Sequence, residues 1–372
     1  MSVKPFSRFL ASKWGIVIIG SVIGIIASIL QKLGNPPNMG ICVACFQRDI
    51  AGALGLHRAS VVQYIRPEIL GFVLGSMVAA FIFREFKART GSAPIVRFVL
   101  GIFAMIGALT FLGCPWRALL RLAGGDLNAI VGLIGLTIGI TIGDQFLKYG
   151  YNLGRSYKTY FSAGLIMPVI MAGLLFLAIF SPKFTTNGAI FFSTKGPGAL
   201  HAPLIISLGA SLIIGFLSQR TRFCTMGSIR DVLLIGDPHF IRGIIALIIS
   251  AFLVNLMLGQ VNFGITAQPI AHSNHLWNLL GMVLAGLAFV LAGGCPGRQL
   301  VLSGEGDGDA SVFVLGMVTG AAFAHNFGLA AKPDKILNGV VYVGGVSSAG
   351  MAAVIIGILV CVIIGFTMRE KI

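Results

Sequence analysis

Ten apolar runs divide the 372-residue chain and restrict it to a membrane-spanning fold. Hydrophobic residues make up 56% of the sequence and charged residues only 10%, whereas a soluble domain carries about 25% charged residues. A helix of about 20 apolar residues crosses the hydrocarbon core and satisfies its own backbone there. We therefore predict an all-α integral membrane protein. The predicted spans are 14–30, 69–83, 94–112, 129–147, 161–180, 200–217, 241–259, 276–293, 311–330 and 349–367.

The basic residues predict how the chain is oriented in the bilayer. The net charge of +15 does not indicate a nucleic-acid partner, because the lysines and arginines lie mainly between the apolar runs. Such residues are enriched in the cytoplasmic loops of membrane proteins. They are more numerous on the side that holds Lys4, Arg8, Lys13 and Lys371 than on the side that holds Lys183. We therefore predict that both termini are cytoplasmic.

A cysteine-proline element occurs once in each half of the sequence. Gly113-Cys114-Pro115-Trp116-Arg117 matches Gly294-Cys295-Pro296-Gly297-Arg298, which lies 181 positions further on. A second element precedes each copy: Cys42 is followed by Arg48-Asp49, and Cys224 by Arg230-Asp231. Because these elements recur in the same order, we interpret the chain as an internal repeat.

The repeat divides the chain into two membrane units, residues 1–180 and residues 181–372. Each unit holds five predicted spans, and five is odd, so the second unit must enter the membrane with the opposite orientation. Inverted repeats are typical of transport proteins, whose substrate site lies near the membrane midplane between the repeats. We therefore predict one transport domain built from both units.

Each of the four repeated cysteines begins a short, partly apolar stretch between two full spans, which predicts a re-entrant half-helix. Proline suits the first helical position, so Cys114 and Cys295 are expected at helix N-caps. Unpaired backbone N–H groups and the positive end of the helix dipole favour anions there. Arg117 and Arg298, one turn on, are expected to add positive charge. Half-helices from both faces would bring the four thiols towards one axis.

Other interpretations of the cysteines and charges remain open. Cys42 and Cys45 form a Cys-x-x-Cys sequence that also suits a redox pair, and Cys361 in the middle of a span is typical of a small core residue. The Arg48-Asp49 and Arg230-Asp231 pairs either orient the half-helices by ion pairing or are ordinary loop charges at the headgroup level.

Three glycine-containing segments have structural interpretations. Gly135-x-x-x-Gly139 and Gly316-x-x-x-Gly320 predict close helix contacts. The segment 304–309 is acidic and rich in glycine. It lacks the spacing of a calcium loop and the lysine of a phosphate-binding loop, so we predict a flexible turn.

With its two Gly-Cys-Pro elements and the paired Cys-x6-Arg-Asp elements, the chain resembles the YeeE/YedE family of bacterial inner-membrane proteins. The resemblance implies an hourglass-like helical fold with inverted repeats and uptake of thiosulfate. In this family the anion is thought to pass between cysteines by weak S–H···S contacts. The corresponding positions here are Cys114, Cys224 and Cys295, with Cys42 at the outer entrance.

The chain is most similar to the YedE branch, which implies a link to selenium metabolism and a small soluble sulfur-carrier-like (TusA-like) partner. Thiosulfate, another sulfur species and a selenium species all suit polarizable thiols. We predict a transporter of such an anion that is not an enzyme and uses no cofactor or metal. The alternatives are a membrane thiol-disulfide oxidoreductase that uses Cys42 and Cys45, and a membrane anchor for a sulfur carrier.

Overall fold

The computed structural model describes residues 9–10, 12–180 and 190–369, and α-helices dominate them. Lys4, Arg8, Lys183, Lys371 and the predicted start of the second unit at residue 181 lie outside the described residues. The helices are α1 (Lys13–Lys32), α2 (Val43–Ala53), α3 (Pro67–Ile82), α4 (Pro94–Phe111), α5 (Pro115–Ala123), α6 (Asn128–Lys148), α7 (Phe161–Gly164), α8 (Ile166–Phe180), α9 (Leu204–Thr221), α10 (Thr225–Ile235), α11 (His239–Met257), α12 (His275–Ala292), α13 (Pro296–Gly304), α14 (Gly308–Asn326) and α15 (Ser348–Thr367).

The long helices confirm an all-α membrane protein. In the described part of the chain, eight helical segments are long and apolar enough to cross a membrane, and Pro67–Ile82 and Ile166–Phe180 are shorter apolar helices. The main shift from the predicted boundaries is at α9, which begins at Leu204 rather than at residue 200. Pro203 explains this shift, because a proline disfavours helical geometry in the residue before it.

The most extensive helix contacts join the first part of the chain to the second in four reciprocal pairs. These pairs are α1 with α11, α3 with α9, α4 with α14, and α6 with α12. Within each pair the helices run parallel. Glycines allow the backbones to approach: a Cβ on Gly139 would collide with the carbonyl oxygen of Val283, and one on Gly316 with that of Phe98. The predicted close contacts at the two Gly-x-x-x-Gly segments are therefore confirmed.

Loops gather on two opposite faces, which we name after Tyr64 and Glu85. An ion pair between Arg89 and Asp307 ties two loops together on the Glu85 face, and Phe191 donates a backbone hydrogen bond to Ala53 on the Tyr64 face. The Tyr64 face comprises loops 33–41, 54–66, 190–203, 258–274 and 327–347. The Glu85 face comprises loops 83–93, 149–160 and 305–307.

Two short antiparallel ribbons add to the helices. The strand β1 (Arg89–Thr90) pairs with β2 (Tyr157–Lys158), and β3 (Lys335–Leu337) pairs with β4 (Val340–Tyr342). Between β3 and β4 lie Asn338 and Gly339, both with positive φ, as a two-residue type I′ hairpin requires. The Asn-Gly dipeptide is itself a sequence signal for a two-residue hairpin, although no hairpin was predicted here.

The turn predicted within 304–309 is present at Glu305 and Gly306, and hydrogen bonds anchor the residues that follow it. The Asp307 side chain accepts the N–H of Ala310 and thereby caps α14. The carboxylate of Asp309 accepts hydrogen bonds from the backbone N–H groups of Gly91 and Ser92. The acidic side chains therefore hold the loop 83–93 against the start of α14.

Candidate functional site

A cysteine is the N-cap of each of the four half-helices α2, α5, α10 and α13. These cysteines are Cys42, Cys114, Cys224 and Cys295. Cys42 Sγ accepts the N–H of Cys45 at 3.4 Å, and Cys224 Sγ accepts that of Gly227 at 3.3 Å. The predicted N-cap positions are thus confirmed, and each thiol lies at the positive end of a helix dipole.

Three thiols form a first cluster, on the Tyr64 side of the molecule. Cys42 Sγ lies 3.9 Å from Cys114 Sγ, and the side chains of Cys42 and Cys45 also interact. The Cys45 thiol donates to the carbonyl of Leu112 at 3.7 Å. All three cysteines are fully buried. Cys45 was not predicted in the pathway, but it joins this cluster because residues at i and i+3 lie on one side of a helix start.

Two thiols form a second cluster on the Glu85 side. The side chains of Cys224 and Cys295 lie near each other, and Cys295 is fully buried while Cys224 is 9% exposed. Gly227 stands where α2 has Cys45, so this cluster lacks a third thiol. All six cysteines are free. Cys361 is buried in α15, outside both clusters.

Trp116 contacts the chain segments that carry the second cluster. It follows Cys114 and Pro115 in α5, and its ring centroid is 5.5 Å from that of Phe223, the residue before Cys224. The indole also lies against the backbone of Gly297, two residues after Cys295. A single side chain thus joins the neighbourhoods of the two thiol clusters.

Asp49 is shared by two arginines at the first cluster. Its carboxylate pairs with Arg48 and with Arg66, both at 2.7 Å, and the three side chains are at most 3% exposed. Arg48 and Asp49 are therefore buried, ion-paired side chains rather than exposed loop charges. Arg66, at the end of the loop 54–66, is also a buried partner, and only the folded chain brings it to Asp49.

The remaining predicted charges differ in their partners. Arg230 pairs with Asp231 at 2.7 Å but keeps a third of its side chain exposed. Arg298 pairs with Glu305 at 3.0 Å. Arg117 donates instead to backbone carbonyls, including that of Ile270 at 3.0 Å. Carbonyl oxygens hold the guanidinium of Arg117 in place, and its role as a positive charge beside the thiol stays a prediction.

A fully buried ion pair supports α5. Arg121 donates to Asp126 at 2.6 Å, and neither side chain is exposed. Asp126 also accepts the N–H and the amide of Asn128, which starts α6. This pair fixes the end of the half-helix relative to the next span.

Each face of the molecule holds a cavity. On the Tyr64 face a cavity of about 840 Å³ is lined by Arg48, Leu112 and His325 among others. On the Glu85 face a cavity of about 280 Å³ is lined by charged groups, including Arg222, Arg298 and Glu305. Among the described residues, no group of three or more His, Cys, Asp or Glu side chains could hold a metal ion.

These features define a multi-pass α-helical membrane protein with paired half-helices. Residues 220–372 match the family model described as sulphur transport. This match confirms the resemblance to the YeeE/YedE family.

The chain is similar to three other proteins over part of its length. It is 32% identical over 99 residues to the thiosulfate transporter TsuA of Spirochaeta thermophila, a match that covers 26% of this chain and 29% of that protein. It is 36% identical over 111 residues to the fluoride-specific ion channel FluC 2 of a Synechococcus species, covering 29% of this chain and 79% of the channel. An uncharacterized protein of Methanocaldococcus jannaschii is 28% identical over 99 residues, covering 24% of this chain and 94% of that protein.

Proposed function

We propose that the protein transports a small sulfur- or selenium-containing anion, with thiosulfate as the first candidate. The observation that carries this proposal is the placement of thiols at the N-caps of four half-helices, where they form two clusters. The match of residues 220–372 to the sulphur-transport family supports it. The proposed pathway contains Cys42, Cys114, Cys224 and Cys295.

The chemistry of the site favours a large, soft anion over a hard one. A strongly hydrated anion would lose its water in a buried thiol cluster and gain little from sulfur. A terminal sulfur or selenium atom is polarizable and exchanges weak contacts with successive thiols. Weak, repeated contacts let the ion leave as well as enter, as conduction requires. The helix N-termini supply the positive potential that an anion needs.

We also propose that the chain consists of two inverted five-span units, residues 1–180 and 181–372. The four reciprocal, parallel helix pairs support this arrangement, because a twofold axis in the membrane plane would produce them. The same axis would relate the cluster at Cys42 and Cys114 to that at Cys224 and Cys295. An hourglass-like passage would then narrow between the two clusters.

The charged side chains have proposed supporting roles. Arg48, Asp49, Arg230 and Asp231 would hold the half-helices in place through their ion pairs. Arg298 would attract the anion to the cavity on the Glu85 face. Arg117 would anchor the loop that carries Ile270 beside the first cluster.

The localisation and partner follow from the same proposal. The excess of lysine and arginine favours a cytoplasmic Glu85 face and cytoplasmic termini, in the inner membrane of a bacterium. A small TusA-like carrier would receive the sulfur or selenium species on that side. We propose that the protein carries out no chemical conversion and uses no cofactor.

Uptake by proteoliposomes tests the proposed function. Radiolabelled thiosulfate, selenosulfate or sulfate would be added outside vesicles that contain the purified protein. Vesicles without protein serve as the control. We expect thiosulfate or selenosulfate to enter at least about tenfold faster than sulfate. Equal rates for all three anions would reject the proposal. A mixed disulfide between Cys42 or Cys45 and a soluble thiol protein would instead support the oxidoreductase alternative.

A further inference from the structure

The two cysteine-proline elements differ at one position in a way that concerns the space between the clusters. Trp116 in the first element corresponds to Gly297 in the second. A Cβ on Gly297 would lie 2.8–2.9 Å from three atoms of the Trp116 indole, including Nε1. Real Cβ atoms do not approach so closely, so the indole occupies room that exists only because residue 297 is glycine. The difference between the two elements therefore places one large side chain against the start of α13.

The indole is enclosed on its other sides. Its ring centroid lies 5.6 Å from that of Phe72 in α3 and 5.5 Å from that of Phe223 before α10. Trp116 is only 1% exposed. Because Phe223 precedes Cys224 and Gly297 follows Cys295 closely in sequence, the indole contacts both chain segments that carry the second cluster.

The indole N–H is an unused hydrogen-bond donor at this place. Nε1 of Trp116 is buried and has no hydrogen-bond partner among the described residues. It lies beside the first turn of α13, where backbone N–H groups also lack partners within the helix. A buried donor without an acceptor is destabilising unless a ligand or water supplies one. Both features indicate an acceptor-rich ligand, such as an oxyanion, at this position.

We propose that Trp116 is the specificity-determining gate of the passage. This inference rests on the proposed transport of a thiosulfate-like anion and adds a role for a residue outside the thiol clusters. The indole closes the route between the clusters in the absence of substrate. When the anion arrives, Nε1–H donates to one of its oxygen atoms while its terminal sulfur or selenium contacts a thiol. An anion that lacks the soft atom makes only one of the two contacts.

Two substitutions test the hydrogen-bond donor and the bulk of the ring separately. Trp116→Phe keeps an aromatic ring and removes the N–H, so we expect KM for thiosulfate to rise about tenfold with little change in the maximal rate. Trp116→Ala also removes the ring, so we expect the ratio of thiosulfate to sulfate uptake to fall at least about tenfold. Trp14→Phe is the matched control, because Trp14 is 71% exposed on α1, and it should behave as the wild type.

Tryptophan fluorescence tests the gate without a transport measurement. The chain has three tryptophans, so a Trp14→Phe/Trp277→Phe variant leaves Trp116 as the only indole. Thiosulfate should shift its emission, and Gly297→Ala, whose methyl group displaces the ring, should change the emission before any anion is added. Wild-type vesicles that neither bind nor transport thiosulfate would overturn the proposed function together with the gate. Active wild-type protein with an unchanged KM in Trp116→Phe and an unresponsive Trp116 emission would overturn the gate alone.

Discussion

The sulfur atoms of Cys42 and Cys114 lie 3.9 Å apart, although 72 positions separate the two residues in the chain. Each is the N-cap of a different half-helix. The contact therefore brings two positive helix ends to one place, where neither thiol is exposed. An anion at this contact would meet two sulfur atoms and two sets of unpaired backbone N–H groups.

Removing single thiols should stop transport. We expect Cys114→Ala and Cys295→Ala to lower thiosulfate uptake by proteoliposomes at least about tenfold, because each removes one of the weak contacts that hand the anion along. Insertion and folding would be checked by size-exclusion chromatography in detergent. Cys361→Ala is the control, since Cys361 is equally buried but lies outside the clusters. Wild-type uptake in Cys114→Ala and Cys295→Ala would contradict the proposed pathway.

Oxidation should link the first cluster. In a Cys45→Ala background, a mild oxidant should remove two electrons and two protons from Cys42 and Cys114 and join their sulfur atoms. The disulfide would be detected by peptide mass spectrometry, and we expect it to block uptake until a reductant restores it. Cys42→Ala in the same background controls for cross-links elsewhere in the mass spectra only, because Cys42 itself lies in the proposed pathway. A cross-linked protein that still transports at the wild-type rate would place the passage away from these thiols.

The buried pair of Arg121 and Asp126 should be important for stability. Asp126→Asn leaves the guanidinium buried without its counter-charge, which typically costs about 3–5 kcal/mol. We expect a loss of that order in the free energy of unfolding, measured in mixed micelles with increasing dodecyl sulfate. Arg89→Gln removes a pair whose arginine is 42% exposed and should cost at most about 1 kcal/mol. Similar losses in both variants would contradict this assignment.

Replacing a glycine at a contact between paired helices should lower stability more than replacing a glycine elsewhere. Gly139→Ala places a methyl group against the carbonyl of Val283, and we expect it to lower the free energy of unfolding by about 1–3 kcal/mol. Gly209→Ala is the control, because a Cβ at Gly209 in α9 would meet no atom within 4 Å. That change should be neutral or stabilise the helix by about 0.5–1 kcal/mol. The same micelle titration would measure both.

Glu85 should make stability depend on pH. Burial opposes its ionisation, but hydrogen bonds from Arg220 and Gln219 outweigh burial and lower the pKa of Glu85 below its ordinary value of 4.5. Its stabilising contribution is therefore present above pH 4.5 and is lost as the pH falls through the lowered pKa.

The melting temperatures of the wild type and of Glu85→Gln, measured from pH 7 to pH 3, would test this expectation. The wild type should melt at the higher temperature at pH 7, and the difference should shrink at the acidic end, because both side chains are then neutral. A difference that does not vary with pH would show that the contribution of Glu85 is not its charge.

Much of the helical architecture was predictable because its determinants are local. Apolar runs long enough to cross the bilayer identified the spans, and proline after Cys114 and Cys295 identified two half-helix starts. The Asn-Gly hairpin at Asn338 was equally local. The arrangement around Asp309 at the start of α14 is not locally determined, because its carboxylate accepts hydrogen bonds from residues more than 200 positions away.

The contents of the site depended on packing between distant segments. Local sequence placed single cysteines at helix starts, but the cluster of Cys42, Cys45 and Cys114 exists only because α2 and α5 meet. The pairing of Asp49 with Arg66, and of the Trp116 indole with Gly297, likewise joins residues that no periodicity relates. The membrane spans could be recognised from residue type alone, since lipid selects for apolarity. Which polar groups share a buried space is selected by shape and hydrogen bonding, and these arise only when the chain is folded.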